Sequence, residues 1–414
     1  MLPIRMGIAS QDLKPAAAKT GSDLVDGSLT PLIWGRVWGK LDTCWGVIVV
    51  WKLVTVAIWL IFLGIGPELS SDNRGHVELE SIEVPPSSKW TSWMSWDGAS
   101  YQYLALHWYG DSGEIDDRLY HAHYPLLPTF LRAAFALGFS PLATSVVFCQ
   151  VVGVVALYAL YSAWRCHFSA KCSVRALWLF CAYPWSLFLE QVYTEGITVL
   201  LLALLLIAVH RDRTLLACAC ALLLPSARPT GHLVTLSLIV CLLVTKDQRR
   251  WLWPAIAGSV GTGLYFGVIG LSTGDAWSGF SAQQFYPAKG SILNVIDLPA
   301  VLRGFANVAE SHYMHRSPID RGLFLWFLFE AWLIATRCHE PLVRVFSLAA
   351  GFIPALSNLF FSFARFHLLC LVSLPWILTK RPKNEQGCPL EVVAAGLLIK
   401  AVLLWRHWTF LWAG

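Results

Sequence analysis

Four ionisable side chains stand at the edges of apolar runs. They are Asp97 in MSWDGASYQYLALHWYG (94–110), Glu195 in PWSLFLEQVYTE (184–195), Arg228 in SARPTG (226–231) and Arg365 in FSFARFHLL (361–369). A positioned carboxylate can take the proton of a hydroxyl that attacks an electrophile. A guanidinium offers a planar fork of donors that suits a phosphate. Together these groups fit transfer of a sugar from a phosphate to an acceptor hydroxyl, with Asp97 as general base. Each also has a plainer role. Asp97 can cap a helix that begins near Gly98. Glu195 can sit in a first helical turn, where the dipole favours an acid. Arg228 and Arg365 can snorkel to a membrane interface. His367, two residues beyond Arg365, can donate to the same group or simply pack among aromatics.

The elements that must position these groups follow from composition. The chain has 414 residues, 56% hydrophobic and 14% charged, against about a quarter charged in soluble domains. Apolar runs near 20 residues recur, each able to cross ~30 Å of hydrocarbon as a helix. The expected fold is an all-α polytopic membrane protein. Runs at 43–65, 141–164, 174–191, 196–209, 214–224, 231–245, 252–271, 322–336, 342–361, 366–378 and 390–412 give about eleven spans. Of the 21 Trp many lie at run ends, which fits interfacial belts or a sugar- or lipid-binding cleft. The net charge of +5 is explained by basic residues on one side of a membrane, and no nucleic-acid partner is expected. The 11 Cys form no metal-spaced pair, and no disulfide framework is expected. The first 40 residues lack the compact apolar core of a signal peptide.

Charge sets the topology. Residues 1–42 form a polar tail, followed by the membrane domain, 43–412. Arg36 and Lys40 precede the first span, which puts the tail in the cytoplasm. The loop 66–124 holds ten acids against three Lys or Arg and belongs outside, as does the segment 272–320. Residues 90–109 are expected to form an amphipathic helix on the membrane surface, with Tyr101, Leu104, Ala105 and Trp108 on one face. Residues 125–139 are too short to span and are expected to form an interfacial helix. The connections at 165–175, 210–213, 246–250, 337–339 and 380–383 are basic and belong inside. This arrangement brings Asp97, Glu195, Arg228 and Arg365 to one outer level. Ionisable groups at membrane depth are costly and face a partner or cavity.

His121 and His123 in HAHYP follow Glu114, Asp116 and Asp117. These are ligand types for a divalent ion, but their spacing matches no metal motif and a solvated loop is the preferred reading. No metal site or cofactor is assigned. No P-loop, GxSxG or HExxH pattern occurs, which argues against an ATPase, a lipase and a zinc protease.

In their order along the chain these segments resemble the PIG-V-like family, that is, GPI mannosyltransferase 2 and its prokaryotic relatives. WDGASYQYLALHWYG is similar to that family's Trp-Asp and short aromatic helix. YPLLP (124–128), AYPWSLFLEQVYTEG (182–196), SARPTG, GDAWSGFSAQQF (274–285) and ARFHLL (364–369) resemble its later segments. Departures are His123-Tyr124 for an aromatic pair, Thr194 for Ser, and Phe285 for Trp. The resemblance implies a GT-C architecture and a polyprenyl-phosphate-linked mannose donor as co-substrate. It implies inverting transfer on the extracytoplasmic face. Carried over, Asp97 is the base. Arg228 and Arg365 hold the donor phosphate, and Glu195, Tyr193, Trp96, His123 and Gln283 are substrate-binding positions. Expected partners are membrane lipids, the lipid-linked donor, and a glycan, glycolipid or protein acceptor. The expected setting is a bacterial plasma membrane with a periplasmic site, or the endoplasmic reticulum with a lumenal one. A lipid-linked glycan polymerase or ligase, and a transporter of lipid-linked sugars, are the alternatives. A transporter needs polar groups along a path, whereas these charges gather on one side.

Overall fold

The computed structural model describes residues 43–67, 89–110, 117–282, 297–306, 317–356, 362–378, 390–409 and 411. The tail 1–42, Glu114, Asp116 and Gln283 lie outside them, as do most of the loop 66–88 and residues 380–383. Every element among the described residues is helical.

The first helix, α1 (Cys44–Ile65), is capped by Thr43, whose hydroxyl accepts the Gly46 N–H. A 3-10 turn (Lys89–Met94) leads into α2 (Asp97–His107) and α3 (Leu126–Ala136). Then come α4 (Pro141–Arg165), α5 (Ala170–Ala182), α6 (Glu195–His210), α7 (Thr214–Ala227), α8 (Pro229–Val244) and α9 (Gln248–Thr273). The short α10 (Ser278–Ser281) and α11 (Leu298–Ala306) precede α12 (Pro318–Arg337) and α13 (Pro341–Leu356). The chain ends with α14 (Phe363–Cys370), α15 (Leu374–Leu378) and α16 (Leu390–Trp408). Three helices, α1, α4 and α9, are long and apolar enough to cross a membrane, and several shorter apolar helices accompany them. Large side chains such as Leu60 (62% exposed) and Leu271 (92%) line the outer surface, as contact with hydrocarbon requires. The protein is a helical membrane protein.

Three expectations need correction. The run 174–191 is not one helix. It breaks at Tyr183, whose extended backbone (φ −60°, ψ 121°) follows from the steric demand of Pro184 on the residue before it. A buried 3-10 turn (Pro184–Leu189) and an irregular stretch then lead to α6. Nor does 90–109 form one surface helix. α2 buries residues nearly all round, from Gly98 to Gln102 and at Leu104 and Ala105. Arg132 of α3 completes its far end, donating to the Leu106 carbonyl at 3.1 Å, where a cation suits the helix C-terminus. Third, many Trp residues are core rather than belt. Trp51, Trp164, Trp251 and Trp408 are fully buried, and Trp59, Trp93 and Trp408 pack with ring centroids 4.9–5.1 Å apart.

A charged junction where four helices begin

Four helices begin at one place, and each brings one of the four ionisable groups. Asp97 is the first residue of α2. The preceding turn is tied by Ser92 and Ser95 hydroxyls that donate to Lys89 and Ser92 carbonyls. Lys89 in turn donates to the last carbonyls of α1. Trp96 supplies the sharp entry with φ 59°, and Trp108 closes the helix with φ 65°. Left-handed backbone is costly for so large a residue. Glu195 opens α6. Arg228 stands in the N-cap position of α8, extended between α7 and Pro229. Gly231 is required nearby, since a Cβ there would overlap the Leu224 carbonyl. Arg365 lies in the first turn of α14, launched from Ser362 at φ 67°.

Arg365 joins two acids. Its Nη1 donates to Asp97 Oδ2 at 2.7 Å and its Nε to Glu195 Oε1 at 2.6 Å. Arg228 pairs with the same Glu195 oxygen. The chain Asp97–Arg365–Glu195–Arg228 thus runs through four distant segments. Aromatic faces hold both guanidiniums. Arg365 lies 4.6 Å from the Tyr193 ring centroid and 4.9 Å from that of Phe188, and Arg228 lies 5.2 Å from that of Phe366. Such contacts orient the planar cation. Glu195 is fully buried, whereas the Asp97 side chain is one-third exposed. Asp97 is therefore the member that meets incoming groups.

The formal charges of these four side chains cancel. Each helix N-terminus adds roughly half a positive charge, which Asp320 offsets at α14 by accepting the Ala364 N–H. Helix N-termini gathered in this way favour negative charge beside them. Asp97 itself responds to its neighbours. Burial pushes its carboxyl up, but Arg365 and His123 outweigh that and hold it well below the usual carboxylate range. Its Oδ2 is taken by Arg365. Its Oδ1 has His123 Nε2 at 3.9 Å, beyond hydrogen-bond length, and so remains able to accept a proton. Asp97 does not act as a side-chain cap at residue 96, the N-cap position being Trp96 with no such bond.

The other expected positions divide. His123 packs edge-on to Tyr101 at 5.1 Å and belongs to the site. Tyr193 serves as a platform for Arg365, and its hydroxyl donates to the Ser95 carbonyl at 3.4 Å. Trp96 acts through backbone geometry and lies next to Asp97. His367 does not share Arg365's partner. Its ring nitrogens bond Glu330 at 2.6 Å and the Tyr183 hydroxyl at 2.9 Å. Among the described residues, no group of three or more His, Cys, Asp or Glu is placed to hold a metal ion.

A second ionic cluster was only half legible in the sequence. Glu190, fully buried, pairs with Lys400 of α16, with Lys52 of α1 at 3.0 Å, and accepts from Thr55 at 2.8 Å. Gln150 of α4 donates to the Glu190 carbonyl at 2.6 Å. This clamp fixes the irregular stretch that delivers Tyr193 and Glu195. The available signal was two lone lysines in apolar runs, with an acid at similar depth. Glu190→Gln leaves the fully buried Lys400 ammonium, and the partly buried Lys52, without a counter-charge. It is expected to cost about 3–5 kcal/mol, read as a lower unfolding midpoint in detergent. An unchanged midpoint contradicts the clamp. A separate cleft of about 380 Å³, lined by His167, Phe168, Thr336, Arg337, His339 and Trp376, shares no residue with the junction.

Fold and site describe a membrane protein, helical throughout the described residues, with an ionic junction where four helices begin. No protein-family model, curated protein or solved structure matches the chain.

Proposed function

We propose that the protein is a GT-C-type glycosyltransferase of about eleven spans. It moves a hexose, mannose by the resemblance, from a polyprenyl phosphate to an acceptor hydroxyl on the extracytoplasmic face. The observation that carries this reading is the junction itself: a partly exposed carboxylate coupled to two buried arginines where four helices begin. In this reaction the acceptor hydroxyl gives its proton to Asp97 Oδ1 as its oxygen attacks the anomeric carbon. The bond to the phosphate breaks on the opposite side, which inverts the centre. Negative charge grows on the leaving phosphate, where fixed cations and helix N-termini help most. A donor with a polyprenyl tail stays in the membrane, so a bundle with an apolar flank is a suitable host.

The polar atoms around the junction fit a ligand rich in oxygen. Glu195 Oε2, Arg228 Nε, Thr230 Oγ1 and His123 Nδ1 are buried and have no hydrogen-bond partner among the described residues. Leaving such atoms unmet costs about 1–3 kcal/mol each, and sugar hydroxyls or phosphate oxygens would meet them. The test is a donor profile with purified protein. Transfer from polyprenyl-phosphate-mannose, and none from a nucleotide sugar, is the expected result. Transfer only from lipid-linked oligosaccharides assigns a ligase instead. Movement of a lipid-linked sugar across vesicles without transfer assigns a transporter.

A further inference from the structure

Three of the four helix N-termini at the junction are already met by an acid. α2 begins with Asp97 and α6 with Glu195. α14 is served from α12, where Asp320 Oδ1 accepts the Ala364 N–H at 2.9 Å. α8 differs. Its N-cap residue is Arg228, whose side chain has no acceptor atom; the helix has no side-chain cap, and the Gly231 N–H goes to the Arg228 carbonyl at 2.8 Å. Its first residue is Pro229, followed by Thr230. Helix N-termini attract phosphate through their free N–H groups and the dipole.

Two side chains point to such a ligand independently. Thr230 is 1% exposed and Arg228 5%, yet Thr230 Oγ1 and Arg228 Nε have no hydrogen-bond partner among the described residues. A hydroxyl and a guanidinium edge at an uncapped helix start form a set of donors. Phe366 stacks on the guanidinium at 5.2 Å and fixes its plane. Arg365 is a poorer candidate, because both its Nε and its Nη1 are engaged with carboxylates.

We propose that the N-terminus of α8 is a seat for a phosphate group, held by Arg228 and by the Thr230 hydroxyl. The chemical class is a phosphomonoester or phosphodiester anion. The lipid phosphate as its source rests on the transferase reading above; the seat does not. Both side chains are buried, so the ligand enters by displacing the groups that cover them. Arg365 then orients Asp97 and leaves the phosphate to Arg228, a division of labour absent from the sequence reading, which gave both arginines to the phosphate.

The test uses the purified full chain in detergent, titrated with polyprenyl phosphate, the matching neutral polyprenol, and inorganic phosphate. Thr230→Val keeps the shape and removes the hydroxyl. A hydrogen bond to a charged ligand corresponds to about tenfold or more in affinity, so Thr230→Val is expected to weaken polyprenyl phosphate by that factor with an unfolding midpoint of the unliganded protein no lower than wild type. Arg228→Gln is expected to weaken it further, but it also removes a partner of Glu195, so Thr230→Val carries the decision. Inorganic phosphate binding with the same Thr230 dependence supports the seat and gives it to a free anion. Equal binding of neutral polyprenol, or no effect of Thr230→Val, overturns the seat. A Thr230-dependent phosphate seat in a protein that transfers no sugar keeps this inference and removes the transferase reading. Active transfer with donor KM unmoved by Thr230→Val does the reverse.

Discussion

Replacing Asp97 with Asn is expected to lower the rate of sugar transfer by about 10²–10⁴-fold, the span typical for loss of a general base. The amide keeps the shape of the carboxylate and can still accept from Arg365, so folding and donor affinity are expected to stay near wild type. The loss then appears in kcat rather than KM. Donor and acceptor titrations at saturation separate the two, and an Asn variant that transfers at the wild-type rate removes Asp97 from the base role. The same pairing sets the pH response. Asp97 is held below the usual carboxylate range by Arg365 and His123, so it stays ionised as pH falls through ~4, where an unperturbed Asp takes up a proton. Its acid limb on the rate therefore lies below ~4. Arg365→Gln removes the main lowering partner and is expected to move that limb upward. The pairing trades basicity for a carboxylate that is charged and oriented at neutral pH.

Glu195→Gln is expected to be the most destabilising single change at the junction. Glu195 is the common counter-charge of Arg228 and Arg365, and it is fully buried. An amide leaves the two guanidiniums with Asp97 as the one remaining carboxylate of the pairing chain. Breaking a buried pair in this way costs about 3–5 kcal/mol. The expected readout is a lower unfolding midpoint in detergent, with most transfer activity lost. A second change discriminates this electrostatic account from simple loss of packing. Arg228→Gln added to Glu195→Gln removes one of the unanswered cations, so the double variant is expected to be more stable than the sum of the single effects implies. Neighbours in one network commonly couple by about 0.5–3 kcal/mol. Strict additivity contradicts the shared-counter-charge arrangement.

Sequence and structure agree where a single physical preference dominates. Long apolar runs such as that of α1 or α4 have one low-energy form in hydrocarbon, and they are helices with nearly the expected ends. Asp97, Glu195, Arg228 and Arg365 interrupt apolar runs at similar inferred depth, and the need to pair buried charge brings them together. Pairing partners were less legible, because a lone charge does not say which of several opposite charges it meets. His367 illustrates this: two residues from Arg365, it turns to Glu330 and Tyr183. Glu190 was visible as an acid near the end of an apolar run, but its lysines lie in α1 and α16, the first and last helices among the described residues. Nothing local connects them. The buried state of α2 was also hidden, because its aromatic residues suit a membrane surface as well as a core. Thr230 gave no signal at all, since an unpartnered hydroxyl is a property of the fold.

Single-displacement transfer from a lipid phosphate, with Asp97 as base, fixes the anomeric configuration of the product. Purified protein is given polyprenyl-phosphate-mannose of defined configuration and an acceptor, and the new linkage is read by NMR. Inversion relative to the donor, abolished with the transfer itself in Asp97→Asn, is the predicted result. Retention of configuration, or transfer that persists in Asp97→Asn, contradicts it.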